Sequence, residues 1–317
     1  MISLKSKLLY SLILAFIVLI FYCVSQILPP KNFITNQILT IKSGEGLNIF
    51  SVRLKNQNLI KNQFLFKIFS LILSGSRGLK AGDYLLDQPE NSFKLAARFN
   101  SGDYNLKPIK LTIPEGLNNQ EISKLFNKNF TKFSVADFII QASSSEGFLF
   151  PDTYYFLPNI STEQIIIELR SNFNERIKTL NREILTSGKS LTDIVKVASI
   201  LELEARTDET RRLVAGILWS RLALNMPLQV DSSLKYINGK STKDLTIIDL
   251  KLDSPYNSYT HKGLPPTPIS NPGLASIKAA LTPIKTNYLY FLTDSQGNMH
   301  YAKTYAEHLQ NKSLYLK

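Results

Sequence analysis

The sequence predicts an α+β protein. An apolar N-terminal transmembrane helix comes first, βα subdomains follow, and a helix-rich region closes in a C-terminal hairpin. Three observations carry that prediction. Residues 8–28 run without a charge. LTIKSGEGLNIF at 39–50 and LTIPEGLNNQEI at 111–122 repeat one grammar of strand-like Leu-Thr-Ile, Gly-Leu-Asn turn and helix. Between about residues 160 and 225 apolar positions recur at helical spacing.

The chain has 317 residues, 44% hydrophobic and 20% charged. That composition supports a packed core and excludes a disordered chain. Net charge is +12, which suits an anionic partner, although the lysines are scattered and a plain basic surface accounts for the same number. The single cysteine, Cys23, lies in the apolar segment, so disulfides and thiol chemistry are not expected. His261, His300 and His308 lack metal-ligand spacing. No metal and no organic cofactor is implied.

The 8–28 run is long enough to cross a bilayer core of about 30 Å as a helix. Lys5 and Lys7 precede it, so residues 1–7 are expected in the cytoplasm and the rest outside. A cleaved signal peptide would have a shorter apolar core and a small-x-small site. Tyr22 before Cys23 is too bulky for lipoprotein processing.

Residues 39–145 form the next expected region. Its strand–turn–helix units resemble LysM-type modules, which bind N-acetylglucosamine polymers; a generic βα unit gives the same pattern. Residues 80–103 predict a strand, a Pro turn and a helix ending at Gly102. The aromatic segment EGFLFPDTYYFLP at 146–158 offers rings for sugar stacking or for a core. The expected final domain spans 146–317. Within it, Ser190 to Asp193 reads as a capping box. Thr207 to Glu209 ends one helix and caps the next. Asn271-Pro272 opens LASIKAAL, and NYLYFLT and MHYAKT form a hairpin across Asp294–Gly297.

Glu202 stands in line with Leu191, Val195 and Ala198 on the apolar stripe of the predicted helix. A carboxylic acid among apolar neighbours keeps its proton to higher pH and can give it to a leaving oxygen. That is the general-acid half of glycoside cleavage. A Glu at the edge of a stripe can instead reach water or pair with Arg206 or Arg211. Glu204 lies about 200° around the helix, too far for a close carboxylate pair. A two-carboxylate hydrolase would need a second acid, with Asp231 the candidate.

VASILELEA (197–205), MPLQVDSSLKY (226–236), DSPYNSYTHKGLPPTPISNPGLASIKAALTP (253–283) and NYLYFLTDSQGNMHYAKTYAEH (287–308) follow in order. This string is similar to the membrane-anchored endolytic murein transglycosylases, the MltG or YceG-like family. The resemblance covers nearly the whole chain. The family's catalytic Glu is the first of its A-S-I-x-E-x-E motif, which is Glu202 here. Many relatives continue with Thr where this chain has Ala205.

The resemblance implies cleavage of the β-1,4 bond between N-acetylmuramic acid and N-acetylglucosamine, leaving 1,6-anhydro ends. Gln229, Asp231, Tyr256, Asn257, Tyr259 and Glu204 are then candidates for holding the sugar. Expected partners are peptidoglycan strands, the membrane and peptidoglycan synthases. Nucleic acid is not expected, because the basic region would lie outside the cell. A hydrolytic muramidase using Asp231 and a noncatalytic peptidoglycan-binding scaffold remain the alternatives.

Overall fold

A computed structural model describes residues 4–74, 78–130 and 133–316, with side chains from residue 13 onward in the first helix. Helix α1 spans Leu4–Ile27. Among the described residues no helix is long and apolar enough to cross a membrane. The anchor expected at 8–28 is therefore not shown, and the start of the segment expected at 1–7 lies outside the described residues. The chain divides into two compact units, Met1–Pro108 and Ile109–Lys317.

In the first unit, β1 (Gln37–Ile41) leads to α2 (Leu47–Asn56), α3 (Gln63–Ser74), β2 (Gly82–Leu86) and α4 (Ser92–Ser101). The two strands pair antiparallel, with Leu39 opposite Tyr84. Leu39 and Ile41 turn inward while Ile38 stays exposed, the alternation a one-sided sheet requires. Phe50, Leu54, Phe66, Tyr84 and Phe99 fill the core beneath them. Asn91 caps α4 by accepting the Lys94 N–H. Gly102 ends it with a left-handed φ of +78°, at the place the sequence predicts.

The second unit opens on the same β–α–α–β order: β3 (Ile109–Thr112), α5 (Asn119–Asn129), α6 (Val135–Gln141) and β4 (Thr153–Phe156). Leu111 pairs opposite Tyr154. Each Leu-Thr-Ile thus supplies the first strand of a β–α–α–β unit, and the strand that closes it comes after two helices. Phe150, Tyr154 and Phe156 are buried, and of the aromatic segment Tyr155 is the exposed ring. Those rings build core; no sugar-stacking platform forms there.

The remaining elements are α7 (Thr162–Lys178), α8 (Asn181–Ser187), α9 (Leu191–Glu204), α10 (Asp208–Ala223), α11 (Asp231–Asn238), α12 (Leu274–Leu281), β5 (Tyr290–Thr293), β6 (Met299–Ala302) and α13 (Tyr305–Tyr315). Ser190 caps α9 by accepting the Asp193 N–H, and Thr207 caps α10 in a box with Thr210. Helix α9 is the centre of the unit. Val195, Ala198, Ile200 and Leu201 are buried against Val214, Leu218, Ile277 and Ala280 of α10 and α12.

The unit boundary falls at Pro108/Ile109, whereas the sequence suggested a break before residue 146. One buried side chain explains the difference. Asn271 Oδ1 accepts the Leu149 N–H at 2.8 Å and Nδ2 donates to the Leu117 carbonyl at 3.0 Å. The Gly116 N–H donates to the Asn271 carbonyl at 3.0 Å. The second β–α–α–β unit is stitched to the α9–α12 region by the Pro-rich loop before α12.

Candidate active site

Glu202 sits in the last turn of α9, where the helix dipole disfavours a carboxylate. Its side chain is only 6% exposed, so both oxygens need donors. Oε2 accepts the Gly273 N–H at 2.8 Å. Gly273 is the N-cap of α12, so the positive end of a second helix offsets the negative end of the first. Oε1 faces Arg211 Nη2 at 3.4 Å, from the second turn of α10. Arg211 Nε is buried and makes no hydrogen bond among the described residues.

The exposed Glu115 lays the end of its side chain over Gly273. A Cβ there would stand 1.7 Å from Glu115 Oε1. Glu115 belongs to the turn between β3 and α5, and its carboxyl packs against the Gly273 backbone. Burial and then the Glu202 charge raise its pKa, and Arg211 opposes them.

A cavity of about 480 Å³ opens beside Glu202 and is also lined by Glu204, Gln229, Asp231 and Tyr259. Five of the seven residues named from sequence therefore meet at one place. Its far wall comes from Phe291, Met299, His308 and Lys312 of the hairpin and α13, with Arg206 beside them. A second cavity of about 370 Å³ meets the first at Leu203 and is lined by Gly116, Glu121, Lys124, Lys235 and Tyr236. Leu203, near the end of α9, is the lining residue the two cavities share.

The individual roles differ. Glu204 Oε1 accepts the Ser232 N–H at 3.2 Å, at the start of α11. Burial and the Asp231 charge raise its pKa, while the Ser232 bonds oppose them. Asp231 Oδ1 accepts a hydrogen bond from the Tyr259 hydroxyl. Burial, then the Asp231 charge, pushes the Tyr259 phenol well above its usual range. Gln229 adopts a left-handed φ of +52°, and its N–H donates to the Ser258 carbonyl at 2.9 Å. Buried Arg221 stabilises that turn by donating to the Pro227 and Leu228 carbonyls at 3.1 and 2.8 Å.

Tyr256 and Asn257 stand outside both cavities. Asn257 is fully buried. Its Nδ2 donates to the Leu250 and Leu252 carbonyls at 3.1 and 2.9 Å, and its Oδ1 accepts the Tyr259 N–H at 3.0 Å. It pins the loop that presents Tyr259. Tyr256 shares a hydrogen bond with Thr267 at 2.9 Å and packs on Tyr236.

Sequence reasoning missed Glu115 and Gly273. A signal for Glu115 lay in the repeat. Gly44 and Gly116 take matching left-handed φ of +76° and +83° after the first strand of each unit. Counted from the strand, the residue before them is Ser43 in the first unit and Glu115 in the second; counted from the shared Gly-Leu-Asn, Glu45 is the counterpart of Glu115.

The YceG-like family model matches residues 39–313. This chain belongs to the YceG-like family. The resemblance read from the 253–283 string stands, and the match starts at β1 and reaches into α13. The YceG-like chain is 31% identical to the endolytic murein transglycosylase of Bacillus subtilis over 90% of its own length and 86% of the relative's. It is 26% identical to the endolytic murein transglycosylase of Streptococcus pneumoniae strain D39, covering 92% of itself but 60% of that protein. A yceG-like protein of Listeria monocytogenes, known from a 2.6 Å crystal structure, aligns with a TM-score of 0.59 at 31% identity. That alignment covers 86% of this chain and 98% of the other.

Proposed function

We propose that this chain is an endolytic murein transglycosylase. It cuts the β-1,4 bond between N-acetylmuramic acid and N-acetylglucosamine within peptidoglycan strands. The observation that carries the reading is Glu202, a nearly buried carboxyl aimed between Gly273 N–H and Arg211 at the edge of a cavity that can take sugar rings.

Glu202 gives its proton to the glycosidic oxygen as that bond breaks. The same carboxylate then takes the proton of the muramyl C6 hydroxyl, which closes on C1 to leave a 1,6-anhydro end. Water enters neither step, so one acid–base group serves both. Asp231 is less suited to activating water, because the Tyr259 hydroxyl already occupies Oδ1. Gln229, Tyr259, Asp231 and Glu204 hold hydroxyl and acetamido groups of the bound sugars. Tyr256 and Asn257 support the loop from behind.

The charge-free run 8–28 and the largely exposed apolar side chains from Ile13 to Val24 support a single-pass anchor. The N-terminus is then cytoplasmic and the groove faces the cell wall, within reach of peptidoglycan synthases. The two β–α–α–β units support a LysM-like glycan-binding role. Mass spectrometry of ends released from purified peptidoglycan tests the reaction. Anhydromuramyl ends are expected; reducing muramyl ends would show hydrolysis instead.

A further inference from the structure

We infer that Glu115 is a second catalytic carboxylate, set to face the positive charge that develops at the muramyl C1 while Glu202 protonates the leaving oxygen. The inference rests on the transglycosylase reading of Glu202.

Two observations converge on it. First, the turn that carries Glu115 is fixed against the acid. The Gly116 N–H donates to the Asn271 carbonyl, and the Asn271 N–H returns to the Leu117 carbonyl at 2.8 Å. A Cβ on Gly116 would be 3.6 Å from Glu202 Cγ. Second, Glu115 and Glu202 approach the same glycine. Gly273 gives its N–H to Glu202 at 2.8 Å, and Glu115 Oε1 occupies the place a Gly273 side chain would take.

The two acids see one cation between them, Arg211. Asp208 shares that cation from the start of α10 at 3.3 Å. Burial and then the Glu202 charge raise the pKa of the Glu115 carboxyl; removing that like charge makes Glu115 easier to ionise. The chemistry balances with this division. The C1–O bond breaks and Glu202 donates its proton to the departing oxygen. The C6 oxygen then bonds to C1 and its proton returns to Glu202. Glu115 forms no bond and stays a carboxylate throughout. A fixed negative charge at an oxocarbenium-like centre stabilises the transition state more than the ground state.

The test is steady-state release of anhydromuramyl ends by the full chain carrying Glu115→Gln or Glu115→Asp, with thermal unfolding measured for each. Glu115→Gln is expected to lower kcat about 10²-fold at nearly unchanged KM, with the unfolding midpoint retained. Glu115→Asp, which keeps the charge, is expected to recover part of that loss. Products remain anhydro ends. A Glu115→Gln protein at the wild-type kcat, or one impaired through KM alone, would overturn the assignment while leaving Glu202 in place. If Glu115→Gln unfolds, Glu115→Asp decides: a folded Asp variant that is as inactive as Glu202→Gln would assign Glu115 to packing instead. A wild type that releases no anhydro ends would overturn the transglycosylase reading and this role with it.

Discussion

The Gly273 N–H and Glu202 Oε2 lie 2.8 Å apart, joining the C-terminal end of α9 to the N-terminal end of α12. That contact orients the acid and compensates a carboxylate at the wrong end of its own helix. A Cβ at 273 would meet Glu115 Oε1 at 1.7 Å, the end of a flexible, exposed side chain that can swing aside. Gly273→Ala is therefore expected to move the Glu115 carboxyl and to leave the Gly273 N–H on Glu202. The unfolding midpoint is expected to change by less than about 0.5 kcal/mol, with a loss of kcat that reports the displaced carboxyl. Thermal unfolding with product release measures both. Full activity in Gly273→Ala would show that the place of the Glu115 carboxyl is incidental.

Asn271 is fully buried and serves three backbone groups: the Leu149 N–H, the Leu117 carbonyl and the Gly116 N–H. Asn271→Ala removes both side-chain bonds and leaves the Leu149 N–H unsatisfied, while the Leu117 carbonyl keeps the backbone N–H of residue 271. The expected loss is about 2–4 kcal/mol, read from denaturant midpoints. A change below about 0.5 kcal/mol would mean that the second β–α–α–β unit is attached by other contacts.

Asp231→Asn separates transglycosylation from hydrolysis. Its Oδ1 accepts the Tyr259 hydroxyl, a bond the amide oxygen can retain. The variant is expected to keep anhydro ends and to lose less than ~10-fold in rate. General-base removal would cost about 10²–10⁴-fold. A loss of that size would return Asp231 to the chemistry.

Glu146 gives a pH signature of stability. Burial pushes its carboxyl from 4.5 to about 7, although the Asn119 N–H and the Tyr236 hydroxyl pull the other way. A raised acid contributes its stability fully below the unfolded value, and that contribution is lost as pH rises through the folded one. Wild type is thus expected to weaken against Glu146→Gln between about pH 4.5 and 7, by on the order of 3 kcal/mol in the limit. Denaturant midpoints across that window check the sign. A constant difference between the two proteins would contradict it.

Much of this was legible in the chain. The caps at Ser190 and Thr207 are local signals, and each caps its helix as spacing suggests. The β5–β6 hairpin pairs Leu292 with His300 across the expected turn. Glu202 was legible because one charge in an apolar stripe needs an explanation. Glu115 was not, since its place depends on Asn271 closing two distant loops onto each other, which no local pattern encodes. Asn257 looked like a sugar ligand because a short polar residue in a Pro-rich loop reads alike whether it faces solvent or satisfies buried carbonyls. The aromatic run 148–156 was ambiguous for the same reason, and strand alternation in β4 decided it for the core.

The most direct measurement compares anhydromuramyl ends released from purified peptidoglycan by the full chain and by Glu202→Gln. The amide can still accept the Gly273 N–H but cannot exchange a proton. Wild type is predicted to release anhydro ends, and Glu202→Gln, folded to the same unfolding midpoint, to release none above background. Equal release by both proteins would remove Glu202 from the chemistry.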